Sequence, residues 1–252
     1  MKSARNILIL SVLINSFAAS AWADFVGLNI GASQWTPDLT GSFNSGTTSI
    51  DLAGDLGLGE PSSSSFQLIL EHPIPLLPNI KYQRFELDSS GSRILNRNID
   101  FSGTNFLSGA QITSTFDLSH DNIVLYYEIL DNWVSLDFGL DLKRFDGEVE
   151  LIDTASPATN SRVIIDETIP LLYLSARFDL PFSGFYIGAD INSISIGDSS
   201  VEDSTILLGY KSASGLGLEG GIKKFSLELN DANNLNTNLE YEGIYLNGYI
   251  QF

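Results

Sequence analysis

The chain has 252 residues, 43% of them hydrophobic, with no Cys and a formal net charge of −18. So acidic a chain is a poor partner for nucleic acid, whose phosphates recruit Lys and Arg. Past Asp24 no apolar run approaches the ~18 residues of a helical membrane span, and no disulfide can staple a small exported domain. What remains is a soluble globular domain or a β-barrel.

Lys2 and Arg5 precede an apolar run over residues 7–17, and Ala21-Trp22-Ala23 follows it. This pattern reads as a signal peptide cleaved after Ala23, so residues 1–23 are leader and 24–252 the exported domain. A membrane anchor is the weaker reading because the run is short for a spanning helix. Removing Lys2 and Arg5 from the 13 basic residues leaves 11 against 31 acidic ones, a balance near −20. Acidic loops keep such a chain soluble; a sharper reading is a surface that gathers divalent cations and bridges to lipopolysaccharide phosphates. Residues 51–60 lack the ligand spacing of a calcium loop, and no metal or cofactor is expected.

Val26, Leu28, Ile30 and Ala32 alternate with Gly27, Asn29, Gly31 and Ser33, which predicts a first strand ending near Trp35. Residues 36–65 read as a long Gly/Ser/Asp loop. Phe66, Leu68 and Leu70 mark a second strand, and Pro73, Pro75 and Pro78 a rigid turn after it, with His72 at its start. Residues 80–87 resume extended structure with an alternation broken by Lys81, Gln83, Arg84 and Glu86.

Residues 88–119 read as a second long polar segment, with some β character near 112–118. Ile123, Leu125, Tyr127 and Ile129 form the next strand, and Asp131-Asn132 a tight turn. Val134, Leu136, Phe138, Leu140 and Leu142 follow, opposite Ser135, Asp137, Gly139, Asp141 and Lys143. After a polar loop over 146–166, the strands of Leu172 to Phe178, Phe185 to Ile191 and Ile206 to Tyr210 repeat the pattern. In the ninth strand the apolar parity switches between Ile222 and Phe225 across Lys223-Lys224, which predicts a β-bulge or a change of environment. The last strand sets Ile244, Leu246, Ile250 and Phe252 on one parity and Tyr245, Asn247, Tyr249 and Gln251 on the other.

The segments I-D-L-A-G-D-L-G-L from Ile50, E-H-P-I-P-L-L-P-N-I-K from Glu71 and Y-Y-E-I-L-D-N-W-V-S-L-D-F-G-L from Tyr126 carry a resemblance. With the leader and the terminal Phe, they resemble a small proteobacterial outer-membrane protein family associated with GlyGly-CTERM genomes. That resemblance implies an outer-membrane barrel and no particular reaction.

Strand number, loop asymmetry and end-of-strand aromatics favour a barrel over a sandwich. Ten strands, with eight as the alternative, are joined alternately by long outer loops and short periplasmic turns. Trp35, Trp133, Tyr210 and Phe252 fall where an aromatic girdle is expected. The expectation is an all-β transmembrane antiparallel barrel in the cell outer membrane of a Gram-negative bacterium. It is monomeric, sits among outer-membrane lipid and lipopolysaccharide, and presents Phe252 to the barrel-assembly machinery.

Asp137, Asp141, Lys143, Arg177, Asp179, Asp190, Lys211 and Lys223 are expected in the lumen. If they satisfy one another the lumen is plugged and the protein is not an enzyme, its acidic loops serving envelope integrity, adhesion or partner binding. The alternative is a narrow channel for small solutes. A more distant one is a hydrolase using His120, within Ser119-His120-Asp121, although neighbours on a strand point to opposite faces. His72 reads as a turn residue.

Overall fold

The computed structural model describes residues 26–45, 48–232 and 235–252; Ala23 lies outside them. Its strands are β1 (Gly27–Ser45), β2 (Ser49–Asp51), β3 (Ser62–Glu71), β4 (Asn79–Ile94), β5 (Ile99–Phe101), β6 (Thr104–Phe106) and β7 (Gln111–Asp117). Then come β8 (His120–Asp131), β9 (Val134–Asp153), β10 (Asn160–Asp179), β11 (Phe185–Ile196), β12 (Ser199–Lys211), β13 (Leu216–Ala232) and β14 (Leu235–Gln251).

Antiparallel ladders run from β1 through β3, β4, β8, β9, β10, β11, β12 and β13 to β14, which pairs back onto β1. Beyond a break at Leu118 and Ser119, β7 takes the place of β8 between β4 and β9. The ring therefore has ten positions and no open edge, so every stave finds both neighbours, while β2 pairs only with β1 and β5 only with β6. The fold is a transmembrane antiparallel β-barrel of ten staves, not eight.

The β3–β4, β8–β9, β10–β11 and β12–β13 turns close one end of the ring, called the short-turn end below, although at the other end the β11–β12 link over 197–198 is as short. Asn132 Oδ1 accepts from the Val134 amide at 3.1 Å and closes the β8–β9 turn. The β11 entry needs Gly184: its φ is +76°, and a Cβ there would lie 2.7 Å from the Lys211 carbonyl oxygen. His72 is a turn residue, with Nε2 3.2 Å from the Pro78 carbonyl oxygen.

At this end the outward parity is apolar. On β9 it runs through Val134, Leu136, Phe138, Leu140 and Leu142. Nine residues cover about 27 Å along a strand. At a tilt of about 40° that is about 21 Å of height, near the roughly 25 Å apolar band of such barrels. Beyond Leu142 the same face carries Arg144, Asp146, Glu148 and Glu150, and on β14 Glu242 and Glu240 follow Ile244.

The inward parity inverts at the same height. Phe145, Val149 and Leu151 on β9, Phe225 on β13, and Leu239 and Tyr241 on β14 join one buried apolar cluster. Ile50 on β2, Leu52, Leu56 and Leu58 in the turn after it, and Ile99, Phe101 and Phe106 on the β5–β6 hairpin close it from inside the ring. Arg97 anchors these pieces by donating to Asp55 and to the Ser49 carbonyl.

This inversion corrects two expectations and decides a third between its alternatives. The loops at 36–65, 88–119 and 146–166 shrink, because β1 runs to Ser45, β4 to Ile94, and β9 and β10 extend to Asp153 and Asn160. Their strand ends carry polar residues outward and so read as loops. No bulge occurs at Lys223-Lys224: the register with β12 and β14 is unbroken there, and only the surroundings change. Trp35 is not a girdle residue; it faces inward, 1% exposed, against Tyr241. Trp133, Tyr210 and Phe252 do lie exposed at the short-turn end.

Candidate functional site

Within the apolar band the lumen holds a polar cavity of about 300 Å³ that reaches the short-turn rim at Asp131, Asp179, Lys211 and Gln251. Its walls are made by an aromatic–glycine arrangement. Tyr126 and Tyr173 face Gly139 from either side, Tyr186 faces Gly209, and Tyr249 faces Gly217. A Cβ on Gly209 would come within 2.1 Å of the Tyr186 ring, and one on Gly217 within 2.1 Å of the Tyr249 ring. Without those methyls the rings lie against the wall, and the lumen stays open.

All eight charged residues singled out in the sequence face the interior, but they are not one network. Lys143 and Lys223 converge on Asp203, Lys143 Nζ donating at 2.8 Å to one oxygen and Lys223 to the other. Asn122 takes a further Lys143 donor at 3.0 Å. Asp190 pairs with Lys81 at 3.5 Å. Arg177 bonds Asp179 at 2.7 Å and lies 3.5 Å from the Tyr186 ring centroid. Among the described residues Lys211 reaches only Gln251, at 3.2 Å. Asp137 Oδ1 and both oxygens of Asp141 have no hydrogen-bond partner.

Two central members escaped the sequence reading. Asp203 sits where β12 begins inside what reads as a polar turn, and Lys81 lies on a strand whose alternation looks broken. Both have inward parity, and strict alternation carried past the apolar residues would have found them.

An aromatic floor separates this cavity from the apolar cluster. His120, 2% exposed, has its ring stacked on Phe85 at 5.1 Å and on Phe225 at 6.1 Å. Its Nδ1 lies 2.8 Å from the Leu118 carbonyl oxygen. Lys223 Nζ lies 5.0 Å above the Phe85 ring and 5.5 Å from that of Trp35. The hydrolase centre on His120 is therefore corrected. A ring shut between phenylalanines meets no substrate, Asp121 faces outward toward Arg84, and Ser119 is spent on Glu86 and the Leu87 amide.

Among the described residues no cluster of acids and histidines is compact enough to hold a metal ion. The Asp51–Asp55 turn uses its carboxylates internally, Asp55 Oδ2 accepting from the Asp51 amide at 2.9 Å. Burial alone would raise the Asp55 pKa, but the hydrogen bond and charge of Arg97 outweigh it and hold it below its ordinary value.

No family model matches the sequence, and no curated protein matches it. Solved structures are similar in outline. The outer membrane protease OmpT from Escherichia coli aligns over 94% of this chain and 99% of its own, at 9% identity and a TM-score of 0.49. The transport unit of the autotransporter AIDA-I from Escherichia coli aligns over 95% and 94%, at 9% identity and a TM-score of 0.43. The CymD monoaromatic hydrocarbon channel aligns over 90% and 88%, at 9% identity and a TM-score of 0.35. Identities this low carry nothing about substrate or reaction, and the fold stands on the closed ring itself.

Proposed function

We propose that this protein is a non-conducting barrel of the Gram-negative outer membrane, without enzymatic activity, that works through its surfaces. In this reading the short turns face the periplasm, and the acidic extension of the staves projects outward to support the envelope or meet a partner. Lipid and lipopolysaccharide surround the apolar band. The chain acts as a monomer, because the closed ring leaves no strand edge to pair with a second copy. Membership of the small outer-membrane family rests on the motifs at Ile50, Glu71 and Tyr126 alone.

The observation that carries the reading is the apolar fill of the outer half, where Ile50, Leu52, Leu56, Ile99 and Leu151 have no exposed surface. An ion crossing that layer would lose its water among groups that offer nothing in exchange. In planar bilayers the purified barrel is expected to give no unit-conductance steps, whereas Leu52→Asp should introduce leak. Sustained steps from the unaltered protein would favour the narrow channel, a reading supported by the cavity that already hollows the membrane-embedded half.

Phe252 fits the role of assembly signal. Its backbone pairs with Leu28 at 2.9 Å while its side chain is exposed at the rim. Deleting it should lower the amount of membrane-inserted barrel, and undiminished insertion would count against that role.

A further inference from the structure

The charges of the cavity do not balance. Eight carboxylates and four cations line it. Lys81, Lys223 and Arg177 are each taken by one carboxylate, Asp190, Asp203 and Asp179. Glu71, Glu128, Asp131, Asp137 and Glu219 then face Lys211 as the one remaining cation among the described lining residues.

Three of these acids share one wall. Glu128 on β8 and Asp137 on β9 are direct cross-strand partners, a like-charge pairing that costs stability unless a cation or a shared proton lies between. Glu71 stands close enough to accept from the Tyr126 hydroxyl at 3.0 Å. Tyr126 and Tyr173 meet edge to face at 5.8 Å beside this wall. The protein's own Lys81 ammonium already lies 5.6 Å from the Tyr173 ring, so the site offers a cation both carboxylates and aromatic faces.

The unsatisfied atoms point the same way. Among the residues lining the cavity, the buried polar atoms without a partner, Asp137 Oδ1 and Asn192 Oδ1, are both acceptors. A lumen with spare acceptors calls for a ligand rich in donors.

We infer that the cavity is a binding site for a small organic polycation, an aliphatic amine with several ammonium groups, entering from the short-turn end and held by Glu71, Glu128 and Asp137. A bare metal ion fits less well, since these carboxylates do not converge on one point. The site deepens the proposed function without depending on it: a closed or a conducting barrel can hold the same amine.

Spermidine titrated calorimetrically into the detergent-solubilised full-length barrel, at physiological salt, is expected to bind saturably at one site per chain. Glu128→Gln with Asp137→Asn should weaken it at least tenfold, and Glu71→Gln alone should weaken it less. Glu242→Gln, on the outer surface, should leave it unchanged. Absence of saturable binding, equal loss from Glu242→Gln, or binding of a neutral sugar in place of spermidine would overturn the inference. Should the double variant fail to show heat-modifiable gel mobility, Glu71→Gln decides. Conductance is read separately, so the outcome for the closed lumen does not prejudge this one.

Discussion

Two halves of the same barrel follow one alternation and opposite chemistry. On β14, Ile244 and Leu246 face outward at 62% and 57% exposure, while Leu239 and Tyr241, nearer the outer end, face inward at 2% and 1%. The backbone does not change: β13 and β14 stay in one register across the boundary. Each half simply follows its solvent. Where lipid lies outside, apolar side chains go out and the small lumen can stay polar; where water lies outside, apolar side chains must go in. The lower half has the hollow interior of a membrane barrel, and the upper half has the packed core of a soluble one. The Lys143–Asp203–Lys223 trio and the aromatic floor mark where one becomes the other.

The largest test of this contrast is at the boundary. Asp203→Ala would leave two buried lysines without their shared carboxylate, a loss of about 3–5 kcal/mol. A urea midpoint measured by heat-modifiable mobility should fall accordingly, and an unchanged midpoint would mean the trio contributes nothing. Next comes a matched pair on one face of one strand. Leu246→Arg should cost about 2–4 kcal/mol in the lipid band, whereas Glu240→Arg, three turns of the pleat outward, should cost no more than about 1 kcal/mol even though it breaks the exposed Lys224–Glu240 ion pair. Equal costs would erase the distinction between the halves.

Within the cavity, Tyr126→Phe removes the donor to Glu71, a loss of about 1 kcal/mol, small because the carboxylate lies near the wet rim. The smallest effect is in the outer half. Arg97 depresses the Asp55 pKa, so this pair's contribution is fully present above the ordinary Asp value of about 4 and is lost as pH falls through the lowered folded value. NMR titration of Asp carboxyls, followed at the Gly57 and Leu58 amides, should show that transition, and Arg97→Ala should move it upward. A transition that ignores Arg97→Ala would detach the clamp from the residues it is thought to hold.

The lipid band was legible because most of its staves alternate cleanly, and a strict period of 2 with one apolar face fits little else. The lumen charges were legible for the same reason, each being the partner of an apolar neighbour. The outer half was not. There, Glu, Asp, Asn and Ser on the outward face masked a strand whose inward face was still apolar, as in Phe145, Val149 and Leu151. Trp35 was misplaced by the same blind spot, since a Trp at the end of an apparent strand is a girdle residue only if the strand ends there.

Alternation along the chain was enough to give the strand periodicity, to favour ten staves over eight and to set the parity of nearly every lumen residue, because it is a local property of an extended backbone. It could not say that β2, the turn at Leu52 to Leu58 and the β5–β6 hairpin fold into the ring, nor that His120 is shut between two phenylalanines. Those placements depend on which strands become neighbours around the circle and on how far each staves past the membrane. Only closure of the ring brings Lys143 and Lys223 from β9 and β13 onto Asp203 of β12, and only that convergence separates a hollow half from a filled one.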